Sequence, residues 1–238
     1  MRLDKFLADC GFGTRKEVKA LVKSGMVTID GQAEKDCGRN ISQDAEVCVN
    51  GKRAKNREFV YIMLNKPQGY ISATEDRHYP VVTELLGEEY IRYSPAPIGR
   101  LDIDTEGLLL LTNDGALNHD LTSPKKNVYK TYFAILDKEA EESDIEAFKA
   151  GMEFKDFTAK SAEFIICEDK HQVFIKIAEG KFHQVKRMCE RVGKTVTYLK
   201  RVAMGDLKLD DTLELGEYRE LTIEEVNMLK NISRDLAK

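Results

Sequence analysis

Residues 99–115 read GRLDIDTEGLLLLTNDG, which sets two carboxylates, Asp102 and Asp104, directly before a run of leucines. A reactive carboxylate needs a rigid seat, and an apolar strand supplies one. Paired carboxylates also serve glycosyl chemistry. In an extended segment residues two apart share a face, whereas in a turn they need not. Taken alone, the stretch favours a hydrated turn with an Asx hydrogen bond, followed by a plain core strand. Other groups with chemical capacity lie further along. Read singly, Tyr132 is core or interface, Lys186 and Arg187 are the solvated side of a helix, and His183 is a hydrogen-bonded surface residue.

The elements that must position these groups follow from periodicity and punctuation. Residues 59–64, FVYIML, read as a buried strand. Asn65-Lys66-Pro67-Gln68-Gly69 ends it, because proline lacks a donor and glycine supplies a turn. Residues 128–136 read as another strand, whose alternation puts Lys130, Tyr132 and Ala134 on one face. Residues 138–149 are predicted helical, with Ile145, Phe148 and the closing Gly151; residues 162–167 and 172–178 are predicted strands around a polar turn. GKFHQVKRMCERVGK, residues 180–194, is a predicted helix with the apolar stripe Val185, Met188, Cys189 and Val192, capped by Gly193. Helices scattered among strands without regular βαβ alternation predict an α+β fold, with a mixed, largely antiparallel sheet flanked by helices.

The 238 residues suffice for one large domain or two smaller ones, and a net charge of −4 with 42% hydrophobic residues fits an ordinary globular chain. No apolar run is long enough to span a bilayer. The N-terminal MRLDKFLADC carries charges inside its apolar pattern, unlike a signal peptide. The five cysteines are scattered without a CxxC pair and there are four histidines, which argues against a disulfide framework or structural zinc and for a reducing cytoplasm. Neither GxxxxGK[ST] nor GxGxxG occurs, so ATP and dinucleotide use are disfavoured, and no cofactor or metal is expected.

Charge is unevenly distributed. Residues 1–58 hold 12 Lys/Arg against 9 Asp/Glu, a net of +3, and the rest hold 25 against 32, a net of −7. A basic segment on an acidic body suggests a polyanion-binding module. Leu3, Phe6 and Leu7 have helical spacing, and Gly11 and Gly13 end that helix. Thr14-Arg15-Lys16-Glu17 has capping-box spacing and starts a second helix, with Val18, Leu21 and Val22 as its apolar stripe and Gly25 as its stop. Lys16, Lys19 and Lys23 then share an outward face, with Arg15 beside them. Met26-Val27-Thr28-Ile29 reads as a strand and Asp30-Gly31 as its hairpin turn. Such a face either merely solvates the helix or docks on RNA phosphates. The order RLDKFLADCGFGTRKEVKALVKSGMVTIDG resembles the S4 RNA-binding module over nearly its whole length, which favours docking through Arg15, Lys16, Lys19 and Lys23. Asn50 to Asn56, polar and basic, reads as a linker between an S4-type module, 1–58, and a larger domain, 59–238.

Four segments in order, NKPQG, GRLDIDTEGLLLLTNDG, KTY and EGKFHQVKRM, resemble the motif series of pseudouridine synthases. The S4-like module and the GRLD form are similar to the RsuA-like branch, and the resemblance covers essentially the whole chain. It implies a catalytic domain of the fold class predicted above and an enzyme that isomerises uridine to pseudouridine in RNA without a cofactor. It also implies Asp102 as the catalytic carboxylate, Tyr132 as the tyrosine of the KxY motif, and Lys186 as the cation paired with Asp102. Arg100 matches an arginine that opens or fills the space left by the target base, and His183, Gln184 and Arg187 belong to the same substrate-binding motif. Asp104 and Glu106 take support roles.

The HQVKRM form is most similar to members acting on small-subunit ribosomal RNA, since relatives acting on the large subunit tend to carry Arg in place of Lys186. The implied target is the uridine numbered 516 in 16S rRNA. The implied partner is small-subunit rRNA or the assembling small subunit, the implied state a monomer, with no membrane or nucleotide cofactor involved. A same-branch enzyme acting on 23S rRNA and a non-catalytic RNA-binding assembly factor are the alternatives. A glycosidase is disfavoured by the S4-like module and by the absence of tryptophan for a sugar platform.

Overall fold

The computed structural model describes residues 1–42, 44–54 and 58–235. The chain divides into two compact units, Met1–Phe59 and Val60–Lys238. In the first, α1 (Leu3–Asp9) and α2 (Arg15–Lys23) precede a four-stranded sheet in the order β2-β1-β3-β4, with β1 Val27–Ile29, β2 Gln32–Ala33, β3 Val47–Val49 and β4 Lys52–Arg53. Both halves of the α2 capping box form: Glu17 N–H donates to Thr14 Oγ1 and Thr14 N–H to Glu17 Oε2. Leu3, Leu7, Val18, Val22, Val27 and Val47 are buried in this unit's core.

The linker expected at 50–56 needs correction. Asn50 and Gly51 are the turn of a second hairpin, with φ +50° and +74°, matching Asp30 and Gly31 at +50° and +79°. Cys48 pairs with Arg53 and Val49 with Lys52 across it. Two left-handed residues give the turn whose twist suits tight hairpins, and Asn-Gly favours it. Lys55 and Asn56, the end of the expected linker, lie outside the described residues.

The second unit is a mixed sheet with helices on both faces, the predicted α+β class. Its strands are β5 (Tyr61–Lys66), β6 (Ala96–Pro97), β7 (Glu106–Thr112), β8 (Lys130–Leu136), β11 (Glu163–Ile166), β12 (Gln172–Ile177), β13 (Val196–Met204), β14 (Leu207–Lys208) and β15 (Tyr218–Glu220). The main path runs β11-β12-β8-β13-β7-β5-β15, with β14 on β13 and β6 on β7. A separate ribbon pairs β9 (Met152–Glu153) with β10 (Thr158–Ala159). Among the named strands of the described residues, only β13 and β7 pair in parallel, Lys200 against Glu106 and Arg201 against Gly107. Gly107, at φ +99°, is required there, because a Cβ would collide with the Arg201 carbonyl oxygen.

Every residue of β7 is buried. Leu109 and Leu111 face a core with Phe148 of α5 (Glu142–Ala150) and Val185 and Met188 of α6 (Gln184–Arg191). Leu108 and Leu110 face the opposite core, with Leu117 and Leu121 of α4 (Gly115–Thr122) and Leu229 of α7 (Ile223–Asp235). The short α3 covers Glu88–Ile91. A strand buried on both faces reads as a continuous apolar run, which accounts for the four leucines.

Several boundaries differ from expectation for local reasons. β5 continues through Asn65 and Lys66, which pair with Leu108 and Gly107. α5 starts late because Glu141 and Asp144 form its capping box. α6 starts at Gln184 because His183 has φ +50°, outside helical space.

Candidate active site

Asp102 does not extend back from β7. It sits in a turn closed by the Thr105 N–H, which donates to the Asp102 carbonyl at 3.1 Å. Two side chains from the preceding segment fix this turn. Ser72 Oγ accepts from Leu101 N–H at 2.9 Å and donates to Leu101 O at 3.0 Å. Lys66, with no exposed surface, points its ammonium into a cage of carbonyls: Pro67 at 3.0 Å, Asp102 at 3.1 Å, Ile103 at 3.5 Å and Thr105 at 2.9 Å. Burial pushes its pKa down to about 8, against the raising effect of Asp104, Asp102 and Glu106. A buried cation thus holds the backbone from which the Asp102 carboxylate projects.

The turn of residues 181–184 and helix α6 bring the other charges. His183 Nε2 lies 3.7 Å from Asp102 Oδ1, and Lys186 Nζ lies 3.7 Å from Asp102 Oδ2. Lys186 Nζ is closer to Asp104 Oδ1, at 2.5 Å. Asp104 is therefore the tighter partner of the lysine that the sequence pairs with Asp102. Burial acts to raise the Asp104 pKa, but the hydrogen bond and charge of Lys186 outweigh it and hold the carboxyl below the usual range.

Tyr132 reaches the site from β8, where it pairs with Arg201 on one side and Ile175 on the other, and it is buried. Its hydroxyl has no hydrogen-bond partner among the described residues. Arg100, exposed and outside any ion pair among the described residues, stands at the mouth. Arg100, Asp102, Tyr132, His183 and Lys186 all line one small pocket of about 60 Å³. Thr105 lines it as well, and its buried Oγ1 has no partner among the described residues, a polar atom that the sequence did not single out. The pocket opens beside a wider cleft of about 640 Å³ that shares Arg100, Asp102 and Tyr132 with it.

A carboxylate between two basic side chains, with an aromatic ring beside it in a small recess, suits a reaction at a sugar carbon carrying a planar base. The model of the RNA pseudouridylate synthase family matches residues 60–191, and that of the S4 domain matches residues 1–47. The chain is an RsuA-type pseudouridine synthase. It is 49% identical over 234 residues to an uncharacterized RNA pseudouridine synthase, YtzG, of Bacillus subtilis (strain 168), covering 96% of this chain and 98% of that one. It is 37% identical over 230 residues to ribosomal small subunit pseudouridine synthase A of Escherichia coli (strain K12), covering 95% and 98%. A solved crystal structure of a pseudouridylate synthase superposes with a TM-score of 0.68 at 37% identity, over 96% of this chain and 99% of that one. The enzyme is thus an isomerase acting on RNA. Among the described residues no helix is long and apolar enough to cross a membrane.

Two of the residues expected to contact substrate also form ties within the protein. Arg187 forms a bidentate pair with Asp156, at 2.9 and 2.5 Å, and lies over the rings of Phe154 and Phe157 at 4.8 and 4.7 Å, outside the lining of the pocket. Gln184 lines the pocket, yet it is buried and its amide holds the local turn: Oε1 accepts from Lys181 N–H at 3.0 Å and Nε2 donates to Glu179 Oε1 at 3.2 Å. Both side chains are thus held by neighbouring groups of the protein itself. In the first unit Arg15, Lys16, Lys19 and Lys23 are all exposed.

Proposed function

We propose that this synthase converts a single uridine of small-subunit ribosomal RNA, that numbered 516 in 16S rRNA, to pseudouridine, with Asp102 as the reacting carboxylate. The observation that carries the chemistry is the Asp102 turn, tied down by Lys66 and Ser72 and flanked by His183 and Lys186. The choice of subunit is supported by relatives named ribosomal small subunit pseudouridine synthase A, such as that of Vibrio parahaemolyticus at 39% identity over 237 residues.

The isomerisation breaks the N1–C1′ bond, turns the uracil and joins C5 to C1′; the proton lost from C5 balances the one gained at N1. The uridine first leaves its stack, and Arg100 at the pocket mouth takes part in that step. Asp102 then either attacks C1′ or removes the 2′ proton to give a glycal, and both routes start from the ionised carboxylate. A primary isotope effect from deuterium at C2′ identifies the glycal route. Lys186 lies between the two carboxylates and links Asp102 to Asp104. Tyr132 stacks on the uracil and serves removal of the C5 proton. Enclosure of the detached base keeps it from water.

Residues 1–58 act as an S4 RNA-binding domain, with Arg15, Lys16, Lys19 and Lys23 on phosphates, and residues 59–238 as the catalytic domain. In this reading the enzyme acts as a monomer in the cytoplasm, on naked rRNA or the assembling small subunit.

Incubating the full chain with unmodified small-subunit rRNA and assembling particles, without added cofactor, should yield one new pseudouridine. Its appearance only in large-subunit rRNA overturns the target, and its absence from both overturns the reading. Asp102→Asn should abolish turnover with RNA affinity nearly unchanged; retained turnover rejects Asp102 as the reacting group.

A further inference from the structure

Phe182 stands apart from the other large apolar side chains around the site. It is 67% exposed and lines the wide cleft beside the Asp102 pocket. Among the described residues, the other exposed large apolar side chain in that lining is Ile103, on the Asp102 turn itself.

The exposure does not come from a loose tip. Phe182 and His183 are the central residues of a turn closed twice, by Gln184 N–H donating to Lys181 O at 3.1 Å and Lys181 N–H donating to Gln184 Oε1 at 3.0 Å. Glu179, which receives the Gln184 amide, also accepts Lys160 N–H at 2.7 Å, and both Glu179 and Gln184 are buried. His183 takes a left-handed φ of +50°, which costs energy for a non-glycine residue. The result is a fixed aromatic plane. The Phe182 ring lies on the His183 imidazole with centroids 3.9 Å apart and planes 16° apart. The imidazole in turn approaches Asp102 at 3.7 Å.

One face of Phe182 is thus backed by His183 while most of the ring stays open to the cleft. An exposed aromatic ring gains nothing from water. A nucleobase offers it a π-face, and stacking of this kind tolerates any base. Extruding a uridine deprives the adjoining base of a stacking partner. We infer that Phe182, backed by His183, is the plane on which the base next to the extruded uridine stacks. This rests on the reading that Asp102 acts on an extruded uridine. Phe182 is then a binding residue that holds the opened RNA while the reaction proceeds.

The test compares full-length wild type, Phe182→Ala, Phe182→Leu and Phe182→Tyr on unmodified rRNA of both subunits. Single-turnover pseudouridine formation is measured at saturating RNA, and affinity at several salt concentrations. Alanine and leucine should each slow formation about tenfold, the scale of one lost base–aromatic stack, and tyrosine should stay near wild type. The slope of log affinity against log salt should not change, because no phosphate contact is removed. Melting temperatures should stay together, since the ring is exposed. Leucine matching wild type would make the role one of general apolar packing and overturn the stacking role. Alanine matching an active wild type overturns it too, and leaves the Asp102 reading intact. Inactivity of wild type on both RNAs overturns that reading, and the stacking role with it.

Discussion

Lysine does opposite work in the two units of this chain. On α2 of the first unit, Lys16, Lys19 and Lys23 are exposed and form no ion pair among the described residues. Lys16 even stands in the first turn, where the helix dipole disfavours a cation. In the second unit, Lys66 is sealed in a carbonyl cage. Lys194 is sealed against Asp144 at 2.8 Å, with side-chain exposures of 7% and 4%. Exposed cations cost the fold little and are available to a polyanion. Buried cations are part of the fold, and the backbone around them depends on their charge.

The largest stability loss expected from breaking this contrast is at Lys194. Lys194→Met leaves Asp144 as an unpaired buried carboxylate and should cost about 3–5 kcal/mol in denaturant unfolding. A loss under 1 kcal/mol would show that the pair is dispensable. Next comes Lys66→Met, which leaves buried carbonyls without a donor and should cost about 2–4 kcal/mol. Its sharper signature is kinetic. The Asp102 turn loses its anchor, and a displacement of about 1 Å at a reacting group lowers turnover on the order of 100-fold. RNA affinity should hold, so that kcat falls without KM. An unchanged kcat would refute the positioning role of the cage.

The same contrast shows what the sequence makes legible. The α2 capping box, the Asp30-Gly31 hairpin and the alternation of β8 are local, and each appears where spacing puts it. Asn50-Gly51 is just as local a signal, but the polar, basic residues around it resemble a linker. The motif order points to Asp102, Tyr132, Lys186 and His183, and these four line one pocket. Lys66 is a different case. In sequence it belongs to the NKPQG segment, but local spacing reads it only as a polar residue ending a strand, and the closure of the 102–105 turn over it makes it a buried anchor. Residues 196–204 mix apolar and basic side chains without strict alternation, so nothing local marks β13 as the strand joining the two halves of the sheet. The aromatic plane of Phe182 depends on the left-handed backbone of His183, inside a segment whose periodicity reads as helix.

A milder perturbation of the buried set is pH. Lys66, held down to about 8 by burial, gives up its proton in the folded state well before an unfolded lysine near 10.5 does. Between those values the unfolded chain binds more protons, so this group's contribution to stability rises with pH. Turnover should nonetheless fall as pH passes about 8, since the cage loses its ammonium, with no drop in melting temperature from this group. Lys130 is likewise pushed down to about 8, by burial and by Arg201. Lys130→Met should therefore keep the alkaline fall if Lys66 causes it, and its disappearance would reassign the effect to Lys130.

The smallest effect on stability is expected from the exposed set. Replacing Lys16, Lys19 and Lys23 together by alanine removes no side-chain hydrogen bond among the described residues, and each change should stay within about 0.5 kcal/mol. The fold should melt as before, and turnover at saturating RNA should match wild type. Affinity should weaken at low salt and converge with wild type at high salt. If all three lysines meet phosphates of unpaired RNA, the slope of log affinity against log salt should become shallower by about 2, since each such contact contributes roughly 0.7. A slope unchanged within error would mean that α2 faces solvent rather than RNA. The lysine contrast would then be one between buried groups the fold requires and exposed groups that only solvate it.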